Sequence, residues 1–308
     1  MEPPAPGCAV PPEGRISRAA NGVEIMKSFT FAAAAFLATA TPAFAQSDPV
    51  SAAPALPDPN DQSDTFTIGA GVGYLPDYEG SNDYRLIPAA AARGRVGGIA
   101  FFTRATSLYV DLVPRGAGKL ELDAGPIVGV RLNRTGKIKD DFVARLPDRK
   151  AAIELGGFVG VTAHGLTNPY DALSVRLDLV KDVGNGHGST VISPTIDFGT
   201  PLSLTTYVGV SLGADWVGGG YADNYFSISP ADSLRSGLRT FDADGGFKGW
   251  KAGLLANQSL TGDLTGGLSL FGTASYSRLA GDFKRSPIVA DRGSASQWFG
   301  AIGLGYTF

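Results

Sequence analysis

The sequence predicts an all-β protein: an antiparallel transmembrane β-barrel of about twelve strands (ten to fourteen) in a single domain. Apolar and polar residues alternate with a period of two, in several segments over 11 to 14 residues, whereas strands of soluble sheets usually have about 5–6 residues. The predicted strands are even in number, as in single-chain bacterial barrels, and most of the long connections between them alternate with short ones. The 42 Gly among 308 residues are roughly twice the usual share, which disfavours a helical bundle.

The first 64 residues are expected to lie outside the barrel. Residues 1–25 are interpreted as a non-native N-terminal extension. Lys27, the apolar run 29–40 and the small residues Ala43 and Ala45 predict a signal peptide over 26–45, cut before Gln46. The apolar run is shorter than the roughly 20 residues of a membrane helix. Residues 46–64 are rich in Pro, Asp and Ser and predict a disordered periplasmic segment.

The barrel is predicted over residues 65–308. In the segment 119–131, Leu and Val occupy one face, whereas Lys, Glu, Asp, Gly and Arg occupy the other with Ile127 as the exception. Such a pattern suits strands with one face toward lipid and one toward a watery lumen. The predicted strands are 65–75, 84–92, 97–103, 107–113, 119–131, 151–163, 170–181, 189–198, 202–214, 248–258, 264–276 and 296–308.

The connections give an independent test of this topology. With a periplasmic N-terminus, the outward connections include the long ones, 76–83, 132–150, 214–247 and 277–295. The periplasmic connections are short, around 93–96, 114–118, 164–169, 199–201 and 259–263. Long outer loops with short periplasmic turns are typical of bacterial barrels. The connection 104–106 is short for an outward loop and departs from the pattern.

Several short motifs resemble one family of barrels. They include the loop residues Tyr78, Glu79, Gly80, Ser81, Tyr225, Phe226, Ser286 and Pro287. Together with the terminal Tyr306-Thr307-Phe308, they resemble the MltA-interacting protein (MipA)/OmpV family of outer-membrane proteins from about residue 66 to the last residue. Ser227 departs from the pattern, because Gly is expected there. Tyr306 and Phe308 also resemble the C-terminal signal for insertion of outer-membrane barrels.

The resemblance implies a location and a function. It implies a protein of the Gram-negative outer membrane, in contact with lipid and lipopolysaccharide. Since no catalytic constellation is visible in the sequence, we expect a non-enzymatic protein with no cofactor. Relatives are associated with linking a periplasmic lytic transglycosylase to a peptidoglycan synthase, which implies a scaffold or adaptor in cell-wall assembly. The alternative is a narrow channel or surface-exposed barrel for small solutes or host contact. We expect a monomer, and the net charge of −3 excludes a large basic footprint for nucleic acid.

Charged residues on the polar faces are candidate lumen groups. These are Lys119, Glu121, Asp123, Arg131, Arg176 and Asp178. The lumen of a twelve-strand barrel is narrow, so the charges can either fill it or form a selective path for small solutes.

The two His residues and the loop charges have alternative interpretations. His164 follows a strand and is either a turn residue or the base of an interfacial serine hydrolase, although no serine motif is visible. His187 lies in a glycine-rich stretch that predicts a hairpin turn rather than a phosphate cradle. In 131–150, seven Lys and Arg against three Asp give a net charge of +4, which suits either lipopolysaccharide phosphates or a solvated loop. The loop carboxylates lack the spacing of an EF-hand, so no metal site is expected.

Overall fold

The computed structural model describes Met1 and residues 64–116 and 118–308. The predicted signal peptide with Ala43, Ala45 and Gln46, and all but the last residue of the 46–64 segment, lie outside the described residues. Among those described, no helix has the length and apolar character needed to cross a membrane.

Twelve antiparallel strands form a closed barrel in which each strand pairs with its neighbours in sequence and β12 closes against β1. The strands are β1 (Thr65–Pro76), β2 (Tyr84–Val96), β3 (Ile99–Arg104), β4 (Ser107–Asp111), β5 (Leu120–Arg131), β6 (Ala152–His164), β7 (Ala172–Asp182), β8 (Thr190–Pro201), β9 (Thr206–Val217), β10 (Gly246–Ser259), β11 (Gly267–Leu279) and β12 (Ser296–Thr307). This confirms the predicted fold class and strand number. By the usual arrangement of bacterial barrels, the end with the short turns faces the periplasm.

The period-two alternation places apolar side chains on the outside of the barrel. Leu122 is 63% exposed and Val159 is 55% exposed, as expected for residues that face lipid. The exception in the pattern, Ile127, points inward and packs with Tyr109 and Phe158. Gly71 of β1 allows close approach of β12, because a Cβ there would lie 2.2 Å from the Ile302 carbonyl oxygen.

Aromatic side chains form a belt around the outward part of β1, β2 and β10–β12. We call Tyr74, Tyr84, Trp250, Tyr276 and Trp298 the aromatic belt. Ring centroids are 5.0 Å apart for Tyr74 and Tyr84 and 4.9 Å apart for Tyr276 and Trp298. Such belts mark the membrane–water interface of barrels, so this one marks the outer interface.

The β3–β4 hairpin is much shorter than the other hairpins. β2 pairs with β3 only from Arg93 to Val96, and β4 pairs with β5 only from Ser107 to Tyr109. The connection 105–106, which departs from the predicted pattern of long outward loops, is the tight turn of this hairpin. Ala105 has a φ of 48° there.

Four of the outward connections fold over the barrel mouth. They contain the 3₁₀ turn Val143–Arg145 and the helices α1 (Gly219–Phe226), α2 (Pro230–Ser236), α3 (Gly281–Arg285) and α4 (Pro287–Ala290). The Ser229 side chain caps α2 by accepting from the Asp232 backbone N–H, as is common at helix N-termini. Connections 77–83, 132–151, 218–245 and 280–295 pack together, and we call them the loop cap.

Candidate functional site

The loop cap has its own buried apolar cluster. It contains Tyr78, Val143, Leu146, Tyr221, Ala222, Tyr225, Phe226, Ile228, Leu238, Ala243, Phe283, Ile288 and Val289, with Val191, Val217 and Leu279 from strand ends. Tyr221 and Tyr225 meet edge to face with centroids 4.9 Å apart. The bore is therefore covered at its outward end by packed side chains.

The motif residues that carry the family resemblance meet in this cap. The Tyr78 hydroxyl donates to the Ile288 carbonyl at 3.1 Å, and the Ser286 hydroxyl donates to the Phe226 carbonyl at 2.5 Å. The Gly80 N–H donates to the Gln297 side chain, which in turn donates to the Ser81 carbonyl. Pro287 is the first residue of α4 and is buried. These residues hold three distant loops together.

The backbone conformation shows which of two motif positions requires Gly. Gly80 has a φ of 98°, and a Cβ there would lie 2.4 Å from Val289 Cγ2. Ser227 has a φ of −79°, a conformation open to any residue, so the loop does not need Gly at this position. Its hydroxyl accepts from the Ala243 N–H at 2.9 Å.

A buried ionic cluster lies directly beneath the cap. The Lys248 ammonium contacts Glu79 at 2.6 Å and Asp215 at 3.3 Å. The Tyr221 hydroxyl donates to the other Glu79 oxygen at 2.6 Å. Burial, followed by the Glu79 charge, raises the pKa of Tyr221 well above its ordinary value. Tyr221 therefore remains a neutral donor, and the cap is hydrogen-bonded to the bore.

A β-bulge brings Lys248 into this cluster. The register of β10 against β9 shifts between Phe247 and Gly249, so Lys248 is the extra residue. Bulges re-aim side chains in this way. Because the bulge adds one residue, Lys251, three positions after Lys248, points to the same side of the strand. Its ammonium contacts Asp215 at 3.1 Å. Strict alternation would place the two Lys residues on opposite faces.

A second ionic group lies beside the first. Arg131 contacts Glu154 through two hydrogen bonds of 2.6 and 3.1 Å, and its Nη1 donates to the Tyr221 hydroxyl at 3.5 Å. His187 Nε2 lies 3.0 Å from Glu154, whereas its Nδ1 accepts from the Ser189 N–H. Since Nδ1 accepts a hydrogen bond, Nε2 is the ring nitrogen that donates to Glu154. His187 is thus a buried structural residue at the β7–β8 hairpin.

The other predicted lumen charges occupy different depths of the bore. Arg176 contacts Asp178 at 2.8 Å, and Asp178 accepts from the Tyr109 hydroxyl at 3.0 Å across the interior. Towards the short-turn end, Asp123 accepts from Thr162. Nearby, Glu121 contacts His164 at 3.2 Å and Arg115 at 3.4 Å.

Lys119 is placed differently from the other predicted lumen charges. It is exposed and precedes β5 by one residue, so it lies outside the interior network. The prediction missed the lumen residue Glu154. It lies among the inward-facing residues of β6, so the alternation of that strand could have identified it. Arg104 and Asp197, 3.0 Å apart, meet only because the barrel closes.

The basic loop contributes to the cap and also faces outward. Arg134 is buried and donates to the Tyr225 carbonyl at 3.1 Å, and Asp140 contacts Arg292 at 2.6 Å. Exposed members are Lys137, Lys139, Arg145 and Lys150. Within the described ranges, no group of three His, Cys, Asp or Glu side chains is arranged to hold a metal ion.

The bore retains a small cavity between these charged layers. Its volume is about 60 Å³, room for a few water molecules. Lining residues include Arg104, Ser107, Tyr109, Arg131, Glu154 and Lys251.

Three neighbouring periplasmic turns lie at the opposite end. They are 165–171, 202–205 and 260–266, and we call them the turn surface. Asn168 donates to the Thr200 hydroxyl at 2.8 Å, and the Leu264 N–H donates to the Leu204 carbonyl at 3.0 Å. Leu202 and Leu204 are 66% and 80% exposed. These two leucines give the 202–205 turn an exposed apolar surface.

The 165–171 turn is organised by one carboxylate, which predicts a pH dependence. Burial alone would raise the pKa of Asp171, but the Thr167 hydroxyl and three backbone N–H groups outweigh it and hold the pKa at about 2. The unfolded value is about 3.9. Because the folded pKa is the lower one, the stabilisation is complete above about pH 4 and is lost as the pH falls toward 2.

The corresponding measurement is the melting temperature of the wild type and of Asp171→Asn between pH 7 and pH 2. The variant should melt lower at neutral pH, and the difference should shrink below about pH 4. A difference that stays constant over this range would contradict the assignment.

Known proteins resemble this chain in family and in architecture. The model of a family described as "MltA-interacting protein MipA" matches residues 68–308. No curated protein matches the chain. The COG4313 outer membrane channel from Pseudomonas putida F1 aligns at 11% identity and a TM-score of 0.43, over 84% of this chain and 97% of that one. The Ralstonia pickettii toluene transporter TbuX aligns at 12% identity and a TM-score of 0.33, over 80% of this chain and 89% of that one. These structural likenesses are too distant to carry function.

Proposed function

The chain belongs to the MltA-interacting protein MipA family, and from this premise we propose that it is a non-enzymatic adaptor of the outer membrane. Its partners in this proposal are a periplasmic lytic transglycosylase and a peptidoglycan synthase, which it holds together during cell-wall assembly. The family description names an interaction with MltA. The exposed Lys137, Lys139, Arg145 and Lys150 would contact lipopolysaccharide phosphates on the other side of the membrane.

The observation that carries the proposal is the turn surface. It presents Leu202 and Leu204 on the periplasmic side, where both enzymes work, and neighbouring turns add Leu166, Tyr170 and Leu260, each more than half exposed. Energetic hot spots of protein interfaces are apolar or aromatic side chains that a partner covers. The covered outward mouth favours a binding role over transport.

Replacing both exposed leucines should weaken partner binding strongly. In Leu202→Asp/Leu204→Asp, two carboxylates would be buried against the partner without compensation, so we expect binding at least about tenfold weaker. The measurement is biolayer interferometry of the folded barrel in nanodiscs against each purified enzyme, and then against both together.

Leu234→Asp is the matched control. Leu234 is 90% exposed but lies on α2 in the loop cap, at the opposite end of the barrel. Its variant should bind as the wild type does. Equal affinity of all three proteins, or loss in both variants, would overturn the adaptor proposal.

A narrow channel is the second candidate function. The charged bore and its small polar cavity favour it, because charged pore linings select ions. The loop cap opposes it, since packed aromatic side chains cover the outward mouth. Planar-bilayer recordings distinguish the two functions, because a channel gives steady current through the intact barrel and a sealed adaptor gives none.

A further inference from the structure

The short β3–β4 hairpin leaves a gap in the barrel wall. Residues 86–90 of β2 pair with β1 on one side, but within the described part of the chain no strand pairs with them on the other side. We call this gap the wall notch, with residues 86–90 as its edge and the 105–106 turn as its floor. It spans about 13 Å along β2 at about 3.3 Å per residue.

Hydrogen bonds show which backbone groups face the wall notch. The Ala92 N–H donates to the Thr103 hydroxyl of β3, and the Tyr84 carbonyl accepts from the Lys139 ammonium at 2.5 Å. In an antiparallel strand, every second residue directs its backbone N–H and C=O to the same side. Leu86, Pro88 and Ala90 lie at even positions between Tyr84 and Ala92, so their backbone groups also face the notch. Pro88 has no N–H to leave unpaired, and Pro within sheets is confined to such edges. Pro88 is therefore a sequence feature that indicates an unpaired strand edge at this position.

The wall notch faces the membrane. Its edge begins two residues after Tyr84 of the aromatic belt and runs from there toward the periplasm, so it lies below the outer interface and beside lipid chains. Leu86 is 72% exposed. Hydrocarbon cannot satisfy backbone groups, so a molecule with an apolar chain and a polar end suits this position better than hydrocarbon alone.

Unpaired cationic donors lie behind the floor of the wall notch. Arg104 ends β3 and Ser107 begins β4, and both line the interior cavity. Arg104 Nη2 lies 3.0 Å from Asp197, and Arg176 Nη1 lies 3.9 Å from the same carboxylate. Among the described residues, Arg104 Nε and Arg176 Nη2 are buried without a hydrogen-bond partner. Two guanidinium groups thus share Asp197 and keep donors for another anion.

We propose that the wall notch and Arg104 form a lateral binding site for a single-chain amphipathic anion. The head group, a carboxylate or phosphate monoester, bonds Arg104 Nε from the cavity that Arg104 lines, and Arg176 adds a second positive charge on the far side of Asp197. The apolar chain lies in the notch against residues 86–90 and reaches the membrane. The cavity of about 60 Å³ has room for a head group and not for a chain, which remains in the notch. The ligand enters sideways, so the loop cap does not block it.

Blocking the notch tests the site. The probe is cis-parinaric acid, a fluorescent single-chain carboxylate, titrated into the folded full-length barrel. Ala90→Trp fills the notch edge. Ala70→Trp is the matched control, because Ala70 is also exposed and pairs with Ala90 on the neighbouring strand. We expect Ala90→Trp to weaken binding at least about tenfold, or about 1.4 kcal/mol, and Ala70→Trp to leave it unchanged.

Removing the guanidinium tests the head-group contact. Arg104→Gln should weaken binding at least about tenfold, and Arg104→Lys, which keeps the charge, should weaken it less. Heat-modifiable mobility on gels verifies that each variant is folded. Equal affinity for Ala90→Trp and Ala70→Trp would mean binding to the apolar exterior and would overturn the proposal, as would an unaffected Arg104→Gln.

Competitors define the ligand chemistry and its source. Dodecyl phosphate should displace the probe, whereas dodecyltrimethylammonium should not. Lysophosphatidic acid already in the vesicle bilayer tests a lipid source, and dodecyl phosphate added from water tests a free amphiphile. Displacement by either anion supports the site and identifies its source. Displacement by neither, or equally by the cation, overturns it.

Discussion

Lys248→Met should be among the most destabilising single substitutions in this barrel. The ammonium of Lys248 contacts both Glu79 and Asp215 within 3.3 Å, and its loss leaves two buried carboxylates with fewer partners. Removing one member of a buried ion pair costs about 3–5 kcal/mol. We expect about 3 kcal/mol, because Tyr221 and Lys251 still contact the two carboxylates. The measurement is urea-induced unfolding in vesicles.

Two further variants define the cause. Lys119→Met removes a Lys that is exposed and should change the free energy of unfolding by less than about 0.5 kcal/mol. Glu79→Gln in the Lys248→Met background removes one uncompensated carboxylate and should recover part of the stability. A loss below about 1 kcal/mol, or no recovery in the double variant, would contradict the ionic explanation.

Removal of the α1–α2 segment should convert a silent barrel into a conducting one. The intact chain should show no steady current in planar bilayers, because Tyr221, Tyr225 and Phe226 are fully buried over the bore. Replacing residues 220–243 by a short Gly-Ser turn removes these side chains and Tyr221's bond to Glu79. We expect steady current steps, limited by the ionic groups around Lys248 and Arg131 and by the deeper layer of Arg176, Asp178 and Tyr109.

A charge reversal in the shortened barrel tests where the current passes. Arg176→Glu replaces a cation by an anion in mid-bore, so selectivity should shift toward cations. An exposed control, Lys119→Glu, should shift it less. Steady current through the intact barrel would instead make the channel its leading function, and silence of a folded, shortened barrel would locate the seal below the cap.

The wall of the barrel was predictable because one physical rule governs it. In β5, alternation defined both faces and placed the strand end within one residue, since a membrane strand must separate lipid from lumen. Ile127 broke the pattern because the interior holds an apolar cluster as well as charges. The short β3–β4 hairpin appeared in the sequence as a connection of the wrong length.

The cap and the ionic clusters were not predictable in the same way. Lys248 reaches Asp215 through a bulge, which period-two reasoning does not contain. His187 was expected as a turn residue and does lie at a hairpin, but its bond to Glu154 joins residues 33 positions apart. The helices of the cap are short, at most eight residues, and such segments carry little periodic signal.

The contacts of the loop cap join the first outward loop of the barrel to the last one and to β12. Tyr78 bonds Ile288 across 210 positions, and Gly80 bonds Gln297 across 217. Such distant contacts form only after a large loss of chain entropy, and these also require β12 to have arrived beside β1. We therefore expect the seal to be the last part of the molecule to assemble. On that order of assembly, a partly inserted barrel would have an open bore, and any leakage through it would end when the cap closes.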